Sequence, residues 1–242
     1  MLLINYLFNS YSIFTVLRYY NNMFPLSDDA PAPRFPIMMW LLIIANVFVF
    51  IRELMAPNID IFISHYALIP SHVHFNDYTT LIPFVTAIFL HGGFLHILSN
   101  MWFLYIFGDN VEGELHPIGF LLLFLVAGIA GNVLQYSISP TSSIPLIGAS
   151  GAIAGVLGCY YVLFPHARVK TLLFLFIFVT IIDISAVFVL GYWFILQLIS
   201  GATSLSASSV AQGGIAFFAH IAGFIVGVLV GRFIKRQQVS YD

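Results

Sequence analysis

Long apolar runs separated by short polar segments fill the chain after residue 36. Six such runs can be distinguished, at residues 37–51, 94–107, 117–134, 150–164, 171–198 and 215–234. A helix of about 20 residues crosses the hydrocarbon core of a bilayer and satisfies its backbone hydrogen bonds internally. With 60% hydrophobic and 7% charged residues, the 242-residue chain also has the composition of a bilayer protein. We therefore predict an all-α polytopic membrane protein with six transmembrane helices.

The fifth run, residues 171–198, is too long for a single span. It would measure about 42 Å if it were wholly helical, against a core of ~30 Å. Asp183 also lies near its middle, and a carboxylate at the bilayer centre costs about 2.5 to 3.5 kcal/mol on insertion scales. We expect the first half to lie at the interface or to fold back, which leaves about residues 184–198 to span.

The basic residues predict the orientation of the spans. Six spans place both termini on one side, and seven of the eight Lys and Arg residues fall on that side, with Arg52 alone on the other. The positive-inside rule makes this side cytoplasmic. The external loops are then residues 53–93, 135–149 and 197–214. We expect a multi-pass protein of a prokaryotic cell membrane with both termini in the cytoplasm.

Three regions follow along the chain. Residues 1–36 are expected to form an N-terminal interfacial helix and a linker on the cytoplasmic side, residues 37–236 a six-helix membrane domain, and residues 237–242 a short tail. The first 17 residues are apolar and Arg18 follows them, a pattern of an interfacial helix rather than a signal peptide, with an extra span as the alternative. A net charge of −2 with scattered basic residues excludes a nucleic-acid footprint, so the partners should come from the lipid bilayer.

Four polar residues stand out within the apolar runs: His96, Asn100, Ser150 and His220. Their three runs cross from the outside to the inside. At a rise of ~1.5 Å per residue, Ser150 lies about 22 Å above the inner end of its run, and Asn100 and His220 about 18 Å. We therefore expect these groups at one depth, about 10 Å below the outer surface of the core. Buried polar groups in lipid need partners, and these can partner one another.

Small residues predict how the serine and histidine runs approach each other. His220 heads a stripe with Gly223 and Gly227, and Ser150 heads another that includes Gly151. Packing the two stripes together would bring a hydroxyl beside an imidazole, the arrangement that a serine nucleophile and its base require. The alternative is that the glycines serve packing alone, that Ser150 caps a helix, and that His220 bonds a neighbour.

His96 and Asn100 are four residues apart and share one face of their helix. An imidazole and an amide aimed at one point suit a developing oxyanion, with the Ser150 N–H at a helix start as a further donor. The alternative is an interhelical hydrogen bond that only fixes packing.

Three segments, residues 91–112, 148–158 and 219–227, resemble the signature regions of rhomboid intramembrane proteases. The resemblance implies a six-helix bundle with a Ser/His dyad in an outward-facing cavity, with Ser150 as nucleophile and His220 as general base. It implies Asn100 and His96 as oxyanion donors, and neither a metal nor a cofactor.

Further positions match the same family. Gly148 corresponds to the glycine before the nucleophile, and His91 and Glu112 match positions that hold loop and helix ends rather than perform chemistry. No aspartate completes a triad, and Asp183 is not recruited as one. The Trp-Arg pair of some members' first external loop is missing from this sequence.

The resulting functional hypothesis is an intramembrane serine endopeptidase that cleaves transmembrane segments of membrane-protein substrates near the outer face. The alternative is a catalytically silent relative that binds membrane clients. A metalloprotease using His91, His96 and His220 lacks the ligand density of a zinc motif. An aspartyl intramembrane protease would need two facing intramembrane aspartates, and only Asp183 clearly qualifies. A transporter would predict internal repeats, and no such symmetry is visible. The substrate and the oligomeric state stay open.

Overall fold

A computed structural model describes residues 23–175, 178–206 and 216–239. This part of the chain is mainly helical and contains one small sheet. The helices are α1 (Ile37–Leu54), α2 (Ile59–Tyr66), α3 (Pro83–Thr86), α4 (Phe94–Ile138), α5 (Ser150–Leu163), α6 (Ala186–Ser206) and α7 (Phe217–Val239), with 3₁₀ turns at Pro70–His72, Tyr78–Leu81 and Ala87–Phe89 and strands β1 (Met23–Asp28), β2 (Arg168–Leu175) and β3 (Phe178–Ser185).

Three of these helices, α1, α4 and α7, are long and apolar enough to cross a membrane, and α5 and the segment Ala186–Ile199 of α6 are shorter apolar helices. The 45 residues of α4 are interrupted at His116, where φ is 59° and ψ is 164°, just before Pro117. Proline lacks a backbone N–H and its ring clashes with the preceding turn, so the helix breaks here. The second and third apolar runs are therefore the two arms of α4. The chain is an integral membrane protein with a mostly helical fold.

The fifth apolar run does fold back, as expected, and the form it takes is a β-hairpin. Strands β2 and β3 pair antiparallel with Lys170 opposite Asp183, and β1 pairs with the other edge of β2. Asp183 is exposed on β3 and does not enter a helix. The all-α prediction was wrong for this segment, because its Val, Ile and Thr residues favour strands and apolar runs of this kind do not reveal their period.

Several boundaries also differ from the expected ones. Helix α6 runs to Ser206, so residues 197–206 are helical rather than part of a loop, and α7 continues to Val239, past the boundary expected at residue 236. Leu198, Ala202 and Leu205 are strong helix formers and offset the poor helix former Gly201 in this segment. The expected interfacial helix at residues 1–20 and the remainder of the expected loop, residues 207–215, lie outside the described residues.

Helix α5 occupies the centre of the bundle, and residues 151–160 are all buried. Glycines allow the backbone of α7 to pack directly against the backbone of α5. A Cβ on Gly223 would overlap the carbonyl oxygen of Gly151, and a Cβ on Gly227 would overlap that of Gly155. The two small-residue stripes therefore pack directly on each other, as close approach between membrane helices requires.

Candidate active site

Ser150 and His220 meet where α5 and α7 begin. Ser150 is the first residue of α5 and His220 lies in the first turn of α7. The Oγ atom of Ser150 and the Nε2 atom of His220 are 2.7 Å apart, and His220 is buried. A hydroxyl that donates to a neutral imidazole nitrogen at this distance is arranged for transfer of its proton to that nitrogen.

The orientation of His96 follows from its hydrogen bond to the loop before α4. The backbone N–H of Gly92 donates to Nδ1 of His96 at 3.3 Å. A neutral imidazole carries its proton on the other nitrogen when one nitrogen accepts, so Nε2 of His96 is the donor.

Gly148 lies close to both Nε2 of His96 and the hydroxyl of Ser150. A Cβ built on Gly148 would lie 2.8 Å from Nε2 of His96 and 3.7 Å from Oγ of Ser150. The φ angle of Gly148 is +128°, a conformation that residues with a side chain rarely adopt. Glycine at this position therefore leaves room for the imidazole of His96.

Asn100 lies one turn after His96 on α4 and is buried. Its Nδ2 atom is buried and has no hydrogen-bond partner within the described part of the chain. Leaving a buried donor without an acceptor costs about 1 to 3 kcal/mol. The first N–H groups of α5 also have no partner within their own helix, as at any helix start. Asn100 and the start of α5 therefore both carry N–H donors without a partner of this kind.

His91 and Glu112 take part in hydrogen bonds near the ends of helices. The backbone N–H of His91 donates to Oε1 of Glu53 at 3.0 Å, which ties the loop before α4 to the end of α1. The Glu112 carboxylate accepts from the N–H groups of Met38 and Met39 at 2.9 and 2.7 Å. It therefore caps the start of α1, whose own N-cap residue makes no side-chain hydrogen bond.

Two residues of α6 that the sequence reasoning missed also contact His220. Oε1 of Gln197 lies 2.8 Å from Nδ1 of His220. The indole of Trp193, one turn earlier, lies 5.8 Å from the imidazole between ring centroids. Gln197 is a single glutamine in the otherwise apolar stretch from residue 186 to 199, which could have indicated a buried polar contact. It was overlooked because a loop was expected to begin at residue 197.

Residues 23–175, 178–206 and 216–239 contain no cluster of side chains suited to bind a metal ion. Within these ranges no three His, Cys, Asp or Glu side chains are grouped so that they could hold a metal ion. Instead, His96 and His220 each have one ring nitrogen engaged by a neighbouring amide group, the backbone of Gly92 and the side chain of Gln197.

The fold and the site together define a polytopic membrane protein that holds a half-buried serine beside a buried histidine within its helical bundle. Residues 78–237 match the family model described as the Rhomboid domain. This match covers more than half of the chain, and the chain belongs to the rhomboid family.

Curated relatives agree with this assignment. The chain is 32% identical over 165 residues to Rhomboid protein 1, mitochondrial, of Saccharomyces cerevisiae, which covers 66% of the chain and 44% of that protein. It is 29% identical over 175 residues to Rhomboid-like protein 11, chloroplastic, of Arabidopsis thaliana, covering 69% and 58%. Rhomboid protease GluP of Bacillus subtilis is 42% identical over 74 residues, covering 31% of the chain and 14% of that protein. The alignments thus span only part of the length of these relatives.

These names also bear on localisation. They include a mitochondrial, a chloroplastic and a bacterial protein. The relatives therefore do not support the expected prokaryotic cell membrane over a membrane of an organelle. The apolar helices and the rhomboid family support an integral membrane protein.

Proposed function

We propose that the protein is an intramembrane serine endopeptidase that cleaves transmembrane segments of other membrane proteins near the outer face of the bilayer. The observation that carries this proposal is the 2.7 Å separation of Oγ of Ser150 and Nε2 of His220 inside a bundle of apolar helices. Membership of the rhomboid family supports it, as does similarity to a relative named a protease.

In the proposed reaction, Oγ of Ser150 attacks the carbonyl carbon of a peptide bond while Nε2 of His220 accepts the hydroxyl proton. The tetrahedral intermediate then collapses, the C–N bond breaks, and His220 returns the proton to the leaving amine. Water attacks the acyl-enzyme ester with His220 again as base. This step releases the carboxylate product and restores the Ser150 hydroxyl.

The oxyanion of each tetrahedral intermediate would be stabilised by three kinds of donor. These are Nε2–H of His96, the unpartnered Nδ2 of Asn100 and the backbone N–H groups at the start of α5. Preorganised donors in a site that excludes water stabilise developing charge far more than they would in water, because they need no reorganisation. The orphan amide of Asn100 gains an acceptor only when this charge forms.

A transmembrane client must expose a peptide bond to reach Ser150. Helical backbone is shielded by its own hydrogen bonds, so cleavable clients would carry glycine or other weak helix formers near the cut. In this proposal six spans surround a cavity that opens outward, with Ser150 at its floor. The client reaches the protein by diffusion within the bilayer. No cofactor takes part.

Covalent labelling distinguishes this proposal from a catalytically silent binder of membrane clients. A fluorophosphonate should form an adduct that mass spectrometry locates on Ser150, and His220→Ala should abolish its formation. Ser143, exposed in the preceding loop, is the matched control and should stay unmodified. Folded protein that gives no adduct at Ser150 would favour the silent binder.

A further inference from the structure

We propose that Gln197 is a positioning residue that fixes the tautomer and orientation of His220. This inference rests on the proposed function, since it concerns the base of the same site. The contact concerned is made by the ring nitrogen of His220 that does not bond Ser150. Gln197 of α6 is buried, and its side chain contacts Nδ1 of His220, whereas Ser150 contacts Nε2.

The two hydrogen bonds of His220 are complementary. Oε1 of Gln197 is a carbonyl oxygen and can only accept, so Nδ1 of His220, at 2.8 Å, is the protonated nitrogen. Nε2 then carries the lone pair and accepts from Oγ of Ser150 at 2.7 Å. The opposite tautomer would present an N–H to the serine and could not take its proton. The amide thus selects the tautomer that works as a base.

No carboxylate is available for this role in the helices that pack around His220. Helices α5 and α6 contain no Asp, Glu, Lys or Arg, and the basic residues of α7 begin at Arg232, about 18 Å further along that helix. On α4, the titratable neighbour of His220 is His96, and the carboxylates of that helix begin at Asp109, about 20 Å further along it. A neutral amide orients the imidazole here without adding a charge to an apolar interior, where an ion is costly.

Trp193 completes the contact from the same helix. It precedes Gln197 by four residues, so both project from one face of α6. Its indole is inclined by 34° to the imidazole. Trp193 therefore restrains the tilt of the His220 ring, and the hydrogen bond from Nδ1 to Gln197 restrains the rotation of the ring within its plane. Both contacts come from α6.

The test compares fluorophosphonate labelling rates of the full-length protein in micelles across pH 5 to 9 for wild type, Gln197→Leu and Gln197→Glu. Gln197→Leu should lower the maximal labelling rate about tenfold, the value of one hydrogen bond, with unchanged reagent affinity. Gln197→Glu should rescue that rate and move the acid limb of the profile to higher pH, because a carboxylate stabilises the imidazolium. Gln237→Leu is the matched control, since Gln237 is exposed at the far end of α7.

If Gln197 did not position His220, the labelling rates would follow a different pattern. Leucine would then replace the amide without loss, and glutamate would leave the pH profile unmoved. Either result overturns the inference while wild-type labelling at Ser150 leaves the proposed function intact. Absence of wild-type labelling would instead refute the proposed function.

A second measurement does not depend on activity. Nitrogen-15 NMR of histidine-labelled wild-type protein, with the His220 signals identified by their loss in His220→Asn, should show Nδ1 protonated and Nε2 unprotonated. A proton on Nε2 would overturn the inference. If Gln197→Leu fails to fold, this spectrum and the Gln197→Glu profile decide the question.

Discussion

The Glu112 carboxylate lies 2.7 Å from the backbone nitrogen of Met39 and joins the inner part of α4 to the first turn of α1. A second bond to the nitrogen of Met38 makes it an interhelical cap. Because Glu112 is buried, removal of its oxygens leaves two backbone donors without acceptors.

The first prediction is that Glu112→Ala lowers the free energy of unfolding by about 1 to 3 kcal/mol. Glu112→Gln should cost less, since its amide keeps one acceptor. Thermal unfolding in detergent micelles measures both changes, and Asp60→Ala on exposed α2 is the control. A Glu112→Ala melting point equal to that of wild type would contradict the capping role.

The second prediction concerns the close approach of α5 and α7. Gly227→Ala inserts a methyl group where the Gly155 carbonyl lies, so it should cost about 1 to 3 kcal/mol through overpacking and displace His220 from Ser150. Gly191→Ala is the matched control, because its new methyl would lie 3.7 Å from the ring of Tyr161, an ordinary contact. Melting points and labelling rates should fall together for Gly227→Ala only. Equal effects of the two substitutions would argue against glycine-dependent packing.

Much of this packing could be predicted from the sequence, because it depends on regular helix geometry. Counting residues along the runs and following the stripes of small residues predicted that Ser150 and His220 approach each other, and the structure places them in hydrogen-bond contact. The contribution of Gly148 was recognised only from its motif. Its positive φ and its contact with His96 depend on the loop that precedes α5.

Two features depended on tertiary context and were missed. The hairpin of β2 and β3 lies in an apolar run whose hydropathy alone does not separate strand from helix. Gln197 is a single polar residue, and only the packing of α6 on α7 shows that it contacts Nδ1 of His220.

The third prediction tests the oxyanion donors. Asn100→Ala should lower kcat by about 10² to 10³ with little change in KM, since its amide would bond the transition state and not the ground state. Asn76→Ala, a substitution at an exposed loop position, should leave both constants unchanged. A rise in KM at constant kcat would assign Asn100 to substrate binding instead.

The fourth prediction concerns pH. Burial raises the pKa of Asp28 from 3.8 to about 6, opposed by the hydrogen bond from the Tyr160 hydroxyl and reinforced by the nearby Asp109 charge. The unfolded chain loses this proton near pH 4 and the folded chain near pH 6. The contribution of Asp28 to stability is therefore fully present below about pH 4 and is lost as the pH rises to about 6.

Asp28→Asn tests this directly, because asparagine does not titrate. The difference in melting point between Asp28→Asn and wild type should change between pH 4 and pH 6 and stay constant from pH 7 to 8. A difference that is independent of pH over the whole range would show that the Asp28 pKa is not raised.

The central claim is that Ser150 and His220 cleave transmembrane segments. The most direct measurement is the cleavage rate of a single-span reporter with a glycine-containing outer half, reconstituted with the protein in liposomes. Wild type should cleave the reporter, as should Ser143→Ala and His72→Ala, whose altered residues are exposed. Folded Ser150→Ala and His220→Ala should show no cleavage above background. Undiminished cleavage by either of the latter two variants would contradict it.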